Sequence, residues 1–208
     1  VFYVRNRRRG ILPIIRSGPS NAYTNQNLHY IINQPIENLR VDGIAIPINH
    51  HLKPVRGTSA DRVFSTVEQI NTGGRKALQA QCNEFVRKQK RKRLGTGDTF
   101  ITKGYGLPAE YIMYAVPPKW SLTVGKEGAK KPDYPRIKKA IRRIYQEILE
   151  KAKQKRMRSI AMLPLYSATE RNGMFIVPSQ LDEYRVSRIK EEIFREFTRR
   201  NPEIHIYE

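Results

Sequence analysis

Apolar positions along this chain change their period several times, and each period predicts an element. Ile137, Ile141, Ile144, Ile148 and Ala152 recur at the spacing of one helix face, with Ala140, Tyr145 and Leu149 widening the stripe, so residues 134–155 are predicted helical. Residues 180–199 read as a second amphipathic helix. Residues 60–70 and 75–90 read as two more, separated by Gly73-Gly74. Between them lie short, strongly apolar or β-branched runs at residues 28–32, 41–48, 99–102, 111–116, 159–163 and 203–207, the pattern of buried strands. A turn, Gly104-Tyr105-Gly106-Leu107-Pro108, joins the third run to the fourth. Strands alternating with helices predict an α/β sandwich of three layers, a sheet at least partly parallel with helices on both faces. No internal repeat is present.

Two stretches escape this periodicity. Residues 1–25 carry Arg5, Arg7, Arg8, Arg9 and Arg16, with Pro13, Gly18 and Pro19 breaking any regular element and no acid before Glu37. A polar, arginine-rich arm cannot order itself by burying apolar area, so an external partner is expected to hold it. Residues 120–132 (WSLTVGKEGAKKP) read as an exposed basic loop.

Charge sharpens the picture. Lys and Arg number 39 against 19 Asp and Glu, a formal net charge of +20 at a pI near 10.3. Self-repulsion of this size opposes compaction and calls for a polyanionic partner. Phosphate backbone is the first candidate, because neutralising it also releases condensed counterions. The single cysteine, Cys82, excludes an intramolecular disulfide and a paired-cysteine metal site, and points to a reducing or organellar compartment. No run approaches the ~18 apolar residues of a membrane span. The chain starts at Val1 rather than Met, as it would after loss of a targeting peptide or at a chosen boundary.

Three segments, in order, resemble the macro domain family. Val41-Asp42-Gly43-Ile44-Ala45-Ile46-Pro47-Ile48-Asn49 is similar to the family's VDAIVNAAN strand and turn. Residues 97–112, from Gly97-Asp98-Thr99 through Gly104, Leu107-Pro108-Ala109 to Ile112, are similar to its GxAxxTxGxxLPAKYVIH stretch. Residues 138–152 followed by Ser159-Ile160-Ala161-Met162-Leu163-Pro164 are similar to its helix and SIAFP strand. The stretch ending Pro117-Pro118-Lys119-Trp120 is similar to the macro domain of a histone variant. The resemblance spans residues 28–208 and implies a macro-domain-like α/β/α mixed sheet there, preceded by an extended basic arm over residues 1–27.

The family binds ADP-ribose, and some members hydrolyse ADP-ribosyl groups. Transferred residue by residue, that activity fails at several points. The family's adenine-binding Asp falls at Pro35, which has neither carboxylate nor N–H. The first Asn of the turn is Ile46, and only Asn49 survives, either as a ribose- or water-positioning group or as an ordinary turn residue. The first phosphate loop, residues 53–60, keeps only Gly57, and the second reads Ser167-Ala168-Thr169 where glycines are needed, with Asn172-Gly173 as a remaining turn. These positions form a vestigial pocket, so neither ADP-ribose nor any other cofactor is expected, and no catalytic residue is assigned.

The basic residues form zones instead. Arg87, Lys88, Lys90, Arg91, Lys92 and Arg93 crowd the end of one predicted helix, as a nuclear localisation signal, a solvated face or, the favoured reading, a phosphate clamp. Lys138, Lys139, Arg142 and Arg143 lie off the apolar stripe of the 134–155 helix. A membrane-surface role for that helix ranks low, because the stripe is needed for the core. With the N-terminal arginines, these zones suit a protein wedged among RNA helices, making contacts that position it and read little sequence. Tyr23, Tyr30, Tyr105, Tyr166 and Trp120 could stack on bases, Trp120 first, although packing accounts for most aromatics. His29, His50, His51 and His205 show no metal spacing.

The expected protein is therefore a non-catalytic structural component of a large ribonucleoprotein, first of all a mitochondrial ribosome. It would contact ribosomal RNA and neighbouring proteins, not membrane. The alternatives are a nuclear ADP-ribose or chromatin reader and a divergent ADP-ribosyl hydrolase.

Overall fold

The computed structural model describes residues 5–6, 10–11, 27–29, 34–118, 134–166, 168–169, 175–176 and 180–208. Its strands are β1 (Arg5–Asn6), β2 (Gly10–Ile11), β3 (Leu28–His29), β4 (Gly43–Pro47), β5 (Thr99–Lys103), β6 (Tyr111–Ala115), β7 (Ser159–Met162), β8 (Ala168–Thr169), β9 (Phe175–Ile176) and β10 (His205–Tyr207). Its helices are α1 (Ser59–Ile70), α2 (Gly74–Lys88), α3 (Tyr134–Gln154) and α4 (Gln180–Arg200), with a 3-10 turn at Ile36–Asn38. Six strands form the central sheet in the order β3-β10-β7-β4-β6-β5. Every neighbouring pair in it is parallel except β5–β6, which is antiparallel. The mixed α/β sheet expected from the sequence is thus present. The pairs β1–β2 and β8–β9 are separate two-residue ribbons, too short for periodicity to reveal.

Alternation along the central strands divides the interior into two cores. Ile44 and Ile46 of β4, with Ile112 and Tyr114 of β6, point towards α1 and α2, where Val63, Phe64, Val67, Leu78 and Cys82 are buried. Ala45, Met113 and Ala115 point the other way, onto the α3 stripe of Ile137, Ile141, Ile144 and Ile148 and onto Phe194 of α4. Tyr145 meets Phe194 edge to face at 5.5 Å between ring centres, an arrangement favourable beyond the area it buries.

Local chemistry sets the element ends. Thr58 caps α1, its hydroxyl accepting from the Asp61 N–H at 3.2 Å. Gly104, in the β5–β6 turn, donates its N–H to the Glu110 carbonyl at 2.7 Å, and a Cβ there would overlap the carbonyl oxygen of Ala109. Only glycine fits, which explains why the Gly-x-Gly-Leu-Pro turn was so legible. The strand read at residues 28–32 is a strand at Leu28–His29, and residues 30–33 lie outside the described residues. So do most of the N-terminal arm and the basic loop at 119–133.

Candidate functional site

In open α/β sheets, ligands sit beyond the carboxyl ends of parallel strands, where successive connections leave to opposite faces. Here that point lies between β4 and β7: β4 continues into α1 on one face, and β7 is reached through α3 on the other. The turn after β4 forms one wall. Asn49 is spent within it, its Oδ1 accepting from the N–H groups of His51 and Lys53, both at 3.0 Å, while the Leu52 N–H donates to the Asn49 carbonyl at 3.0 Å. This side chain organises its own loop, the turn role weighed against ribose positioning. Ile46 has no exposed surface and belongs to the α1–α2 core.

Gly57 retains a left-handed φ of +82° with nothing within 4 Å of a notional Cβ. Its N–H, however, donates at 3.1 Å to Asp61, whose other carboxylate oxygen takes a 2.9 Å bond from Arg75. An internal carboxylate therefore already occupies the hydrogen-bonding group that a phosphate would use at the α1 N-terminus. Arg75 is fixed in turn by Ser65 at 3.0 Å and, through its backbone N–H, by Glu68 at 3.0 Å. The N–H groups of Gly73 and Arg75 lower the Glu68 pKa.

Pro35 is exposed at the head of the 3-10 turn. Two residues on, Glu37 is only 6% exposed; one of its carboxylate oxygens bonds Arg62 at 3.3 Å and the other has no hydrogen-bond partner. Sequence reading missed this acid because its burial depends on α1, far along the chain. Ser167, Asn172 and Gly173 lie outside the described residues, as do the side chain of Thr169 and those of Arg5, Arg7, Arg8, Arg9 and Arg16.

A sequence model of the Macro domain family matches residues 66–172, just over half the chain. The chain belongs to the macro domain family. Among solved structures, it is similar to the Oceanobacillus iheyensis macrodomain with ADP at 20% identity, covering 88% of this chain and 83% of that one with a TM-score of 0.63. It is similar to the Trypanosoma brucei macrodomain in complex with ADP at 21% identity, covering 93% and 68%, TM-score 0.60. The macro domain of ganglioside induced differentiation associated protein 2 gives 16% identity, 91% and 80% coverage and a TM-score of 0.63. No curated protein matches. At these identities the structural likeness carries the fold alone.

The basic residues of this macro domain divide into two groups. At the end of α2, Lys88 pairs with Glu84 at 2.7 Å, and Arg87 lies close enough to help lower the Glu84 pKa, after Lys88 itself. The following turn holds Lys90, Arg91, Lys92 and Arg93, all four exposed, and none of the four makes an ion pair among the described residues. Lys92 adopts a φ of +49° and donates its N–H to the Gln89 carbonyl at 2.9 Å. Leu94 and His50 then exchange two contacts, Leu94 N–H to the His50 carbonyl and the His50 ring to the Leu94 carbonyl, each 2.8 Å. The basic turn is thereby anchored to the loop after β4, at the rim of the site.

On α3 the single basic face expected from the sequence is split. Arg142 reaches α4 and pairs with Glu192 at 2.6 Å. Arg143 turns the other way, to Asp98 at 2.9 Å and Glu147 at 2.8 Å. Lys138 and Lys139 remain exposed. Among the described residues no group of His, Cys, Asp and Glu could hold a metal, and no helix is long and apolar enough to cross a membrane.

Proposed function

We propose that this macro domain is a non-catalytic, RNA-binding structural component of a large ribonucleoprotein, with a mitochondrial ribosome as its setting. The observation that carries the reading is the turn after α2. Lys90, Arg91, Lys92 and Arg93 are consecutive and without acidic partners among the described residues, in a chain of net charge +20. Their mutual repulsion is relieved most simply by a polyphosphate. A solvated face would be expected to interleave acids, as α2 itself does with Glu84 and Lys88.

The vestigial pocket supports the non-catalytic part of the proposal. Asn49 is consumed by its own turn, Ile46 is core, Pro35 carries no acid, and the Gly57 N–H is engaged by Asp61. Hydrolysis needs a positioned water and ribose, and the oxygen of Asn49 that could help position them already accepts two hydrogen bonds from its own turn. The buried lone cysteine suits a reducing or organellar compartment.

One observation favours a second reading, an ADP-ribose or chromatin reader. The space over Gly57 is open, and Glu37 keeps a buried, unpartnered carboxylate oxygen on the side where the family binds adenine. One sample separates the two. Structured RNA is titrated at several salt concentrations, and ADP-ribose is titrated calorimetrically. Tight, steeply salt-dependent RNA binding without ADP-ribose heat supports the first reading. Micromolar ADP-ribose binding with weak RNA binding at physiological salt replaces it with the second.

A further inference from the structure

The layer opposite α1 and α2 carries a groove of about 1150 Å³ between α3 and α4. Its floor is apolar, formed by Ile137, Ile141 and Val186, all buried. Its α4 wall is a single stripe. Tyr184, Arg188, Glu191, Arg195 and Arg199 follow one another at steps of four, three, four and four residues, which keeps them on one helix face over roughly 22 Å. Lys138 stands on the α3 wall.

Internal pairing decides the charge of this groove. Of its acids, Glu192 is taken by Arg142 at 2.6 Å and Glu196 by Arg200 at 2.9 Å. That leaves Glu191 against Lys138, Arg188, Arg195 and Arg199, none of which forms an ion pair among the described residues. The groove is therefore cationic after its own salt bridges are made. It is also aromatic: Tyr184 is 62% exposed, the most exposed large hydrophobic side chain among the described residues. The neighbouring Tyr134 ring is already covered by the Arg185 guanidinium at 4.9 Å.

We infer that this groove binds single-stranded RNA, with a base stacked on Tyr184 and the phosphates tracked by Arg188, Arg195, Arg199 and Lys138. An exposed ring beside a row of cations is the arrangement that single strands use, since every base has a face to stack and a backbone charge to neutralise. A duplex would present its phosphates but no free base face, so the aromatic would be idle. An acidic protein segment would satisfy the cations without requiring the ring. The inference deepens the RNA-binding reading but rests on a different surface from the basic turn after α2.

The test uses the full chain and a fluorescent 12-nucleotide oligouridylate, read by anisotropy, with polyglutamate of equal charge as competitor. Tyr184→Ala is expected to weaken oligouridylate binding by roughly 5- to 150-fold, the range for loss of one base–aromatic stack, whereas Tyr184→Phe stays within about twofold. Replacing Arg188, Arg195 and Arg199 with Gln is expected to flatten the log–log salt slope by about 2. All four side chains are solvent-facing, so folding is preserved, and unchanged urea midpoints confirm it. Oligouridylate binding that is unchanged in both the Tyr184→Ala and triple-Gln variants overturns the inference. So does polyglutamate competing as well as the oligonucleotide, which would assign the groove to an acidic protein. The basic-turn variant (Lys90, Arg91, Lys92 and Arg93 to Gln) keeps the two readings apart. Loss of structured-RNA binding in that variant, with oligouridylate binding retained, supports the groove. Wild-type protein that ignores structured RNA but binds oligouridylate through Tyr184 removes the first reading and leaves the groove standing.

Discussion

Replacing Lys90, Arg91, Lys92 and Arg93 together with glutamine removes four positive charges while leaving the fold alone. The turn is held by backbone contacts, Lys92 N–H to Gln89 and Leu94 N–H to His50, which glutamine side chains do not disturb. Lys92 already bears the left-handed φ, and glutamine bears it at similar cost. The urea midpoint should therefore move little. RNA binding should change in a defined way. Each phosphate neutralised contributes about 0.9 to the log–log salt slope on duplex, so four contacts contribute about 3.6. Over a fourfold rise in salt that amounts to about a 10²-fold loss of affinity in the wild type that the variant no longer shows. The assay is anisotropy of a labelled RNA hairpin across 50–200 mM salt. Equal slopes for variant and wild type, within about 0.5, would refute the assignment of this turn to phosphate.

Four further outcomes follow from the geometry. Asn49→Ala should lower stability by about 1–2 kcal/mol, the loss of two turn hydrogen bonds, in urea unfolding, with RNA affinity unaltered. Phe194→Ala, which empties the α3–α4 core beside Tyr145, should cost about 3–5 kcal/mol, read in the same way. Burial pushes the Cys82 thiol pKa up to about 12, partly offset by its hydrogen bond with Tyr114, so thiol labelling at pH 8 should report unfolding and be far slower on the native protein than on urea-unfolded chain. His29 and His205 share a 3.0 Å ring–ring contact, and burial lowers both pKa values, with His205 adding to the effect on His29. The unfolded chain thus binds more protons below about pH 6.5, so stability is full above that pH and declines as pH falls through the folded values. A urea midpoint that drops between pH 7.5 and 5.5, with a smaller drop in His205→Gln, checks this.

Much of the architecture was legible because it is written in local periods. The α3 stripe lies within one helix, and each of its members needs only its neighbours three and four residues away. The β5–β6 turn was legible for an equally local reason, since Gly104 is the one residue that clears the Ala109 carbonyl. That Pro35 and Ile46 bring no polar side chain to the rim could be read at once, because a residue without a polar group cannot supply one in any fold. The two short ribbons were not legible, because two residues carry no period.

Side-chain partnerships were decided only by tertiary structure. Arg142 and Glu192 are fifty residues apart in sequence, and Arg143 meets Asp98, just ahead of β5, so a basic face counted along α3 could not reveal that half its charge is cancelled. The anion-like place of Asp61 beneath Gly57, the buried Glu37 and the anchoring of the basic turn to His50 likewise depend on α1, β4 and the α2–β5 connection meeting at one rim. The α3–α4 groove depends on which cations remain after pairing. By itself, then, the sequence determined the layers, the family and the excess of positive charge. The fold decided where that charge stays free, because electrostatic pairing acts through space over a few ångströms and is blind to distance along the chain.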